Sequence, residues 1–173
     1  MNIWFTADTH FGHRGILKHC HRPWDTIEEM NDGLIENWNE VVKPKDVVWH
    51  LGDFGWGPDI DNWVLRLNGT INLLLGNHDD RHKKRLTELL PFVGDVRYLR
   101  HEGERFWLSH YAHRTWRNSN HGSYHLFGHS HGDLDPFRRS MDVGVDAMDY
   151  HPVNLDEVIR MLDRYAVTDH HEL

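Results

Sequence analysis

Five short stretches of this chain hold the residue types that bind metal ions and move protons. "ADTHFGH" (7–13) carries Asp8 and His10, and "HLGDF" (50–54) carries Asp53. "GNHDD" (76–80) carries Asn77, His78 and Asp79, "LSHYAH" (108–113) carries His110, and "FGHSH" (127–131) carries His129 and His131. Setting His78 and Asp79 aside, the set is two Asp, one Asn and four His, with no thiolate. Such a mix of oxygen and nitrogen ligands suits manganese, iron, nickel or zinc, and disfavours structural tetrahedral zinc, which commonly uses cysteine. Seven groups are too many for one ion with an open position, and about right for two if one carboxylate bridges. Two ions roughly 3.5–4 Å apart can clamp a phosphoryl group and polarise a shared water. Taken singly, Asp8, Asp53 and Asn77 suit turns and helix caps equally well. In an extended backbone, residues two apart point to one face, which would aim His129 and His131 the same way.

These residues fall at the ends of predicted strands. "NIWFTAD" (2–8), "DVVWHLGD" (46–53) and "TINLLLGNHD" (70–79) each read as a buried strand running into a polar exit. "VRYLR" and "RFWLSH", separated by "HEGE", read as a hairpin across 96–110, and 124–131 and 140–146 supply two more strands. Thr26 and Glu29 form a capping-box pattern ahead of Ile27, Met30, Leu34, Trp38 and Val41 at helical spacing. Gly33 costs that helix something without vetoing it. Pro58 suits a first helical turn before "DIDNWVLRL". "RHKKRLTELL" ends a helix before Pro91, and "NLDEVIRMLDRY" (154–165) is a last helix with Asn154 capping toward Glu157. Strands alternating with helices, then strands in succession, imply a layered α/β fold. In such folds, sites form in loops beyond the carboxyl ends of strands.

The 173 residues read as one domain, 1–173, large enough for a substantial core. One cysteine, Cys20, excludes an internal disulfide and fits a reducing compartment. No apolar run reaches membrane-span length and the start lacks a signal-peptide pattern, so the expectation is a soluble, cytoplasmic chain with no membrane partner. The net charge of −8 repels phosphate backbones and argues against long-duplex nucleic acid as a partner, without excluding a local cationic pocket. The 17 histidines are an unusual number of the side chain that most often binds metals and shuttles protons, although several, including the tail "DHHEL" (169–173), read as solvent-facing.

In order and rough spacing, the five stretches resemble the motifs of calcineurin-like metallophosphoesterases across residues 7–131, and "RPWDTIEEMNDGLIENWNEVV" looks like the small bacterial and phage members. The resemblance implies a four-layer αββα sandwich, two mixed β-sheets flanked by helices. It also implies two divalent transition-metal ions, manganese first, with iron, nickel or zinc as further fits. Asp8, His10 and His131 would hold the first ion, Asn77, His110 and His129 the second, and Asp53 would bridge both. His78 would face the scissile phosphate as general acid, with Asp79 orienting its ring. The implied activity is phosphate-ester hydrolysis, phosphodiesters over monoesters, by attack of a hydroxide held between the ions.

His13, Arg22 and Arg114 lie near motifs and could bind non-bridging phosphate oxygens of a substrate that could be nucleotide-like. Their alternative is a solvated loop, and that of His78 is an imidazole behind the ligands. His19, Cys20 and His21 tempt one toward a further metal site, but three adjacent residues cannot face one ion from regular backbone, so a polar loop is expected. Trp56 and Trp116 could stack a nucleobase, with packing the commoner fate. His50 reads as a hydrogen-bonded core residue. Two rival functions are a nuclease for short or single-stranded nucleic acid and a catalytically inactive metal-binding scaffold. Retention of all seven ligands and His78 disfavours the scaffold. Oligomeric state is not legible.

Overall fold

Every predicted strand forms; those read at 2–8, 46–53, 70–79, 124–131 and 140–146 are shorter than their runs because the chain turns away at the polar exit, whereas the 96–110 hairpin forms at full length. The computed structural model describes residues 1–168; the "DHHEL" tail lies outside them. In chain order the elements are β1 (Ile3–Thr6), α1 (Arg14–His19), α2 (Ile27–Val41), β2 (Val47–His50), α3 (Ile60–Arg66), β3 (Thr70–Leu74) and α4 (Lys83–Leu89). There follow β4 (Phe92–Gly94), β5 (Val96–His101), β6 (Glu104–Ser109), β7 (Tyr124–Phe127), β8 (Ser140–Asp142), β9 (Val153–Asn154) and α5 (Leu155–Thr168). One sheet has the order β4-β3-β2-β1-β9, parallel except for β9. The other has the order β5-β6-β7-β8, parallel except for the β5–β6 hairpin. Two mixed sheets flanked by helices are thus the architecture.

Alternation along the strands builds two cores. From β1 and β2, Phe5 and Trp49 face the second sheet, where they join Phe106, Leu108, Tyr124 and Leu126. Val48, with Ile71 and Leu73 of β3, faces Met30, Leu34 and Trp38 of α2 and Trp63 of α3. The capping box opens α2 as expected: Thr26 Oγ1 accepts from the Glu29 amide at 3.1 Å, and Glu29 Oε2 from the Thr26 amide at 3.1 Å. Gly33 is required there, because a Cβ would stand 2.6 Å from the Trp24 ring nitrogen. The "HEGE" turn has Glu102 at φ 48° and Gly103 at φ 91°, the tight hairpin turn whose twist matches the strands. The two-residue β9, three-residue β4 and six-residue α1 escape sequence reading because they are too short to show a period. Asn154 caps α5 one residue earlier than expected, its Oδ1 accepting from the Asp156 amide at 3.0 Å.

Parallel register does the positioning. Thr6 lies beside His50 and His50 beside Leu73, so the exits carrying Asp8, Asp53 and Asn77 leave one edge together. Leu108 lies beside Leu126, bringing the exits with His110 and His129 alongside each other. Hydrogen bonds lock the exits: Asp8 N to Gly52 O (2.9 Å), Gly128 N to His110 O (2.9 Å) and Val145 N to Ala7 O (3.0 Å), the last crossing between sheets. On the opposite face of the second sheet, Trp107 Nε1 donates to His113 Nδ1 (2.8 Å) and His125 Nε2 accepts from the His113 amide (2.9 Å). Segment 111–123 is thereby laid over that face. No helix among the described residues is long and apolar enough to cross a membrane.

Two fully buried histidines are held neutral by this framework. His50 Nδ1 accepts from the Gly52 amide (3.3 Å), and burial lowers its pKa to about 3. His125 accepts at Nε2 and donates from Nδ1 to Trp107 O (3.0 Å), and burial lowers it to about 4. Protonating either ring would set two donors face to face. The unfolded chain takes up these protons first, near the ordinary value of 6.5, so stability is lost as pH falls from there toward 4. We expect a loss on the order of 3 kcal/mol for each ring. Denaturant unfolding of wild type and His125→Gln from pH 7 to 4 checks this: their difference should shrink as pH falls, and a constant difference would contradict it.

Candidate metal centre

The five stretches converge at the shared edge of the two sheets. Ligand atoms of Asp8, His10 and His131 lie within 4.8 Å of one another, as do those of Asp53, His110 and His129. Asp53 Oδ2 stands between the groups, 3.5 Å from His10 Nε2 and 3.6 Å from His110 Nε2. Asn77 Oδ1 is 3.2 Å from the same His110 nitrogen. His78 Nε2 reaches 3.9 Å from Asp53 Oδ2 and forms a third convergent group with His10 and Asp53.

The proton inventory shows why a cation fits. His110 Nδ1 faces Leu51 O at 2.8 Å and must donate to it, so its Nε2 presents a lone pair. That lone pair meets the oxygens of Asp53 and Asn77, three acceptors with no hydrogen among them. Asp8 Oδ1 and His10 Nε2 are both buried without any hydrogen-bond partner. Burial pushes the Asp8 carboxyl well above the usual range, with repulsion from Asp142 and Asp53 adding and His131 opposing. Burial, then the Arg22 charge, lowers His10, and burial also lowers His110. His131 behaves differently: burial disfavours its charge, but hydrogen bonds to Asp146 and Cys20 and the nearness of Asp8 prevail, raising it to about 10. Acceptors converging around a favoured positive charge are the donor set that divalent ions use.

The backbone is bent to achieve this. Asp8, His10, Asp53, His129 and His131 all have φ between 49° and 66°, the left-handed region. The extended arrangement expected for 129–131 is therefore not what forms. β7 stops at Phe127, and the turn sends His131 to the Asp8 group and His129 to the Asp53 group. Glycines make room: a Cβ on Gly76 would lie 2.1 Å from Asp53 Oδ1, and one on Gly128 2.6 Å from Asp8 Oδ2.

Three carboxylates behind the candidate ligands hold these turns. Asp79 does not touch the His78 ring. Its oxygens accept from the amides of Asp53 (2.8 Å), Phe54 (2.9 Å) and Gly76 (2.8 Å), tying two motif loops together, and burial raises it to about 6. Asp142 accepts from Ser130 Oγ (2.6 Å), Gly132 N (3.0 Å) and Gly144 N (2.7 Å). Asp146 Oδ2 accepts from His131 Nδ1 at 2.7 Å, directing the other ring nitrogen toward the Asp8 group. Sequence reading passed over Asp142 and Asp146; carboxylates at both ends of "DVGVD", a predicted strand exit, were the available signal.

Of the expected substrate contacts, only His13 lines the cavity of about 410 Å³ above the ligands, with His19, His78, His129 and His131 among its neighbours. Arg22 does not reach it. Its buried guanidinium donates twice to Asp146 (2.9 and 2.8 Å) and to the carbonyls of Thr9 (2.9 Å) and Asp8 (2.6 Å), because a buried cation must find such partners. Arg114 is exposed and outside the cavity lining. His19, Cys20 and His21 diverge at the end of α1: His19 lines the cavity, Cys20 joins His131 and Asp146, and His21 is exposed. Trp56 is packed against the His13 ring (5.4 Å between centroids) and the Arg81 guanidinium (4.5 Å). Trp116 is buried, bonded to Ser123 O at 3.0 Å. His50 is the core residue expected.

A layered α/β fold with this donor set at its strand exits defines a protein with a candidate divalent-metal centre as the class. The model of the calcineurin-like phosphoesterase superfamily domain matches residues 1–140. An uncharacterized protein of Methanocaldococcus jannaschii is 32% identical over 95% of this chain and 93% of its own length. The gene 66 protein of Mycobacterium phage D29 is 31% identical over 94% and 96%. A solved structure of a protein of unknown function from Aquifex aeolicus superposes with a TM-score of 0.74 at 24% identity, covering 92% of this chain and 98% of that one. The chain belongs to the calcineurin-like phosphoesterase superfamily.

Asp79 offers a direct check on this arrangement. Asp79→Ala leaves three buried amides without acceptors, at about 1–3 kcal/mol each before water relieves some of them. We expect unfolding free energy to drop by at least about 3 kcal/mol in urea, with Asp79→Asn intermediate. A variant as stable as wild type would contradict the role of Asp79 as the tie between loops.

Proposed function

We propose that this protein hydrolyses phosphodiesters at a dinuclear divalent-metal site. The reading is carried by the meeting of the Asp53, His110, Asn77 and His10 lone pairs with no proton between them. Asp8, His10 and His131 would hold one ion, Asn77, His110 and His129 the other, and Asp53 Oδ2 would serve both. Two such ions, when bound, supply an activated water and neutralise charge on the phosphoryl oxygens.

The protein's own groups supply the rest. With His10 Nε2 turned to the ligand group, its Nδ1 carries the proton and faces His13 Nδ1 at 3.4 Å. That leaves His13 Nε2–H free to donate to a non-bridging phosphate oxygen in the cavity. His78 is part-exposed on the cavity wall, set between the rings of His10 (5.1 Å) and Trp56 (5.7 Å). Its amide donates to Asp53 Oδ1 at 2.9 Å, which holds the residue beside the ligands and supports a role for the ring in giving its proton to the departing oxygen. Diester preference is supported by the lining: the cavity holds histidines, Asp53 and Asn77 but neither Arg nor Lys among the described residues. A monoanionic diester asks less of such a wall than a dianion.

Elemental analysis of protein stripped of metal and reloaded with manganese should give about two ions per chain; a trace would overturn the dinuclear reading. In paired assays with manganese, bis-nitrophenyl phosphate should be preferred to nitrophenyl phosphate, and a clear monoester preference would refute the diester assignment. His78→Ala should lose about 10²–10⁴-fold on alkyl or nucleoside esters, whose leaving oxygen needs a proton, and far less on nitrophenyl esters. Metal content should stay intact. Equal losses on both classes would mean that His78 positions phosphate instead.

A further inference from the structure

The outer face of the four-stranded sheet carries arginines that, among the described residues, have no carboxylate within ion-pair distance. Residues 96–125 hold five arginines in a chain of −8; Arg97 turns to the inner face over Trp49 and Phe92, which leaves Arg100, Arg105, Arg114 and Arg117. Arg14, Arg22, Arg66, Arg85, Arg139 and Arg160 each have a carboxylate within ion-pair distance. Among the described residues, Arg100, Arg105, Arg114 and Arg117 have no such carboxylate.

Two of them are set against each other. Arg100 and Arg105 are directly opposed across β5 and β6, on the face also bearing Tyr98 and Trp107. Like charges in that position are destabilising. Arg117 lies 4.6 Å and Arg100 5.5 Å from the centre of the Tyr98 ring. The segment carrying Arg117 and the exposed Arg114 begins at His110, a candidate ligand. Tyr111, 48% exposed, stands at its start against the rings of His110 (5.0 Å) and His129 (4.7 Å). Guanidiniums without a carboxylate partner on the sheet face, and an exposed aromatic ring beside the proposed phosphodiester site, suit a strand of phosphates with unpaired bases. The guanidiniums take the backbone, and the ring stacks a base.

We propose that this face is a track for single-stranded nucleic acid, making the scissile bond one in a polynucleotide. The proposal rests on reading the site as a phosphodiesterase. The test uses the metal-stripped full chain and a fluorescent oligothymidylate of about 20 nucleotides, titrated at several salt concentrations. Wild type should bind, with affinity falling steeply as salt rises. Arg100→Gln/Arg117→Gln alters two exposed positions and relieves the Arg100–Arg105 repulsion, so folding is not at risk. It should bind at least tenfold more weakly, with the log–log salt slope reduced by about 1.4, since each contact to a single strand contributes about 0.7. Its turnover of bis-nitrophenyl phosphate with manganese should match wild type.

Equal binding by wild type and variant, or none by either, overturns the track. A duplex bound as tightly as the single strand overturns the choice of a single strand. Binding of polyglutamate but not of the oligonucleotide would make the face one for an acidic protein and overturn the proposal. Hydrolysis of the small diester without oligonucleotide binding sinks the track and leaves the reading of the site. Salt-sensitive, arginine-dependent binding with no ester hydrolysed under any divalent metal sinks the reading and leaves the track.

Discussion

Buried acceptors without protons are the constraint on which this structure turns. Asp8 Oδ1 and His10 Nε2 have no partner, and Asp53 Oδ2 meets two imidazole nitrogens that cannot both donate to it if they bind an ion. An unpaired buried carboxylate is among the costliest features a fold can carry. The sequence nevertheless builds two sheets whose parallel registers deliver these groups to one edge. A divalent ion would resolve the conflict where packing cannot, and its binding free energy would then be partly folding free energy. The high pKa of His131, about 10, expresses the same demand for positive charge, met by a proton instead.

The local backbone follows from that demand. Five candidate ligands sit at φ 49–66°, where each non-glycine residue costs of order 1–3 kcal/mol. Asp and His tolerate the region better than most, and the turns lift side chains off the strand axis into the space between sheets. The carboxylates of Asp79, Asp142 and Asp146 hold the turns by accepting nine hydrogen bonds from eight residues. Arg22 joins the Asp8–Thr9 carbonyls to Asp146, a residue 124 positions away, so the early and late strand exits of the Asp8 group share one guanidinium. Strain at the ligands and support behind them are two aspects of one design.

The candidate ligands were legible in the sequence because each stands where an apolar run ends, and because residue type alone restricts what metals accept. The larger elements were legible for a related reason: α2 shows its period and its capping box, and the β5–β6 hairpin its turn residues. What stayed hidden depends on distance in space. Asp79 follows His78 immediately, so adjacency suggested a ring contact, whereas its oxygens turn inward to amides from the neighbouring loop. Arg22 looked like a phosphate binder from its neighbourhood and is a buried strut, since its partner Asp146 is visible only in the fold. The assignment of His129 and His131 to different groups came from the family resemblance alone; the left-handed turns that produce it are in no alternation rule. The arginine face was masked by the chain's overall negative charge, which averages away a local positive surface.

The central claim is that Asp53 Oδ2 joins two ions into one centre. Electron paramagnetic resonance of the manganese-loaded protein tests it most directly, because two manganese ions sharing a carboxylate at about 3.5–4 Å interact magnetically whereas isolated ions do not. The account predicts an exchange-coupled signal from wild type at two equivalents of metal, and separate single-ion signals from Asp53→Asn. A wild-type spectrum of isolated ions at full loading would contradict it.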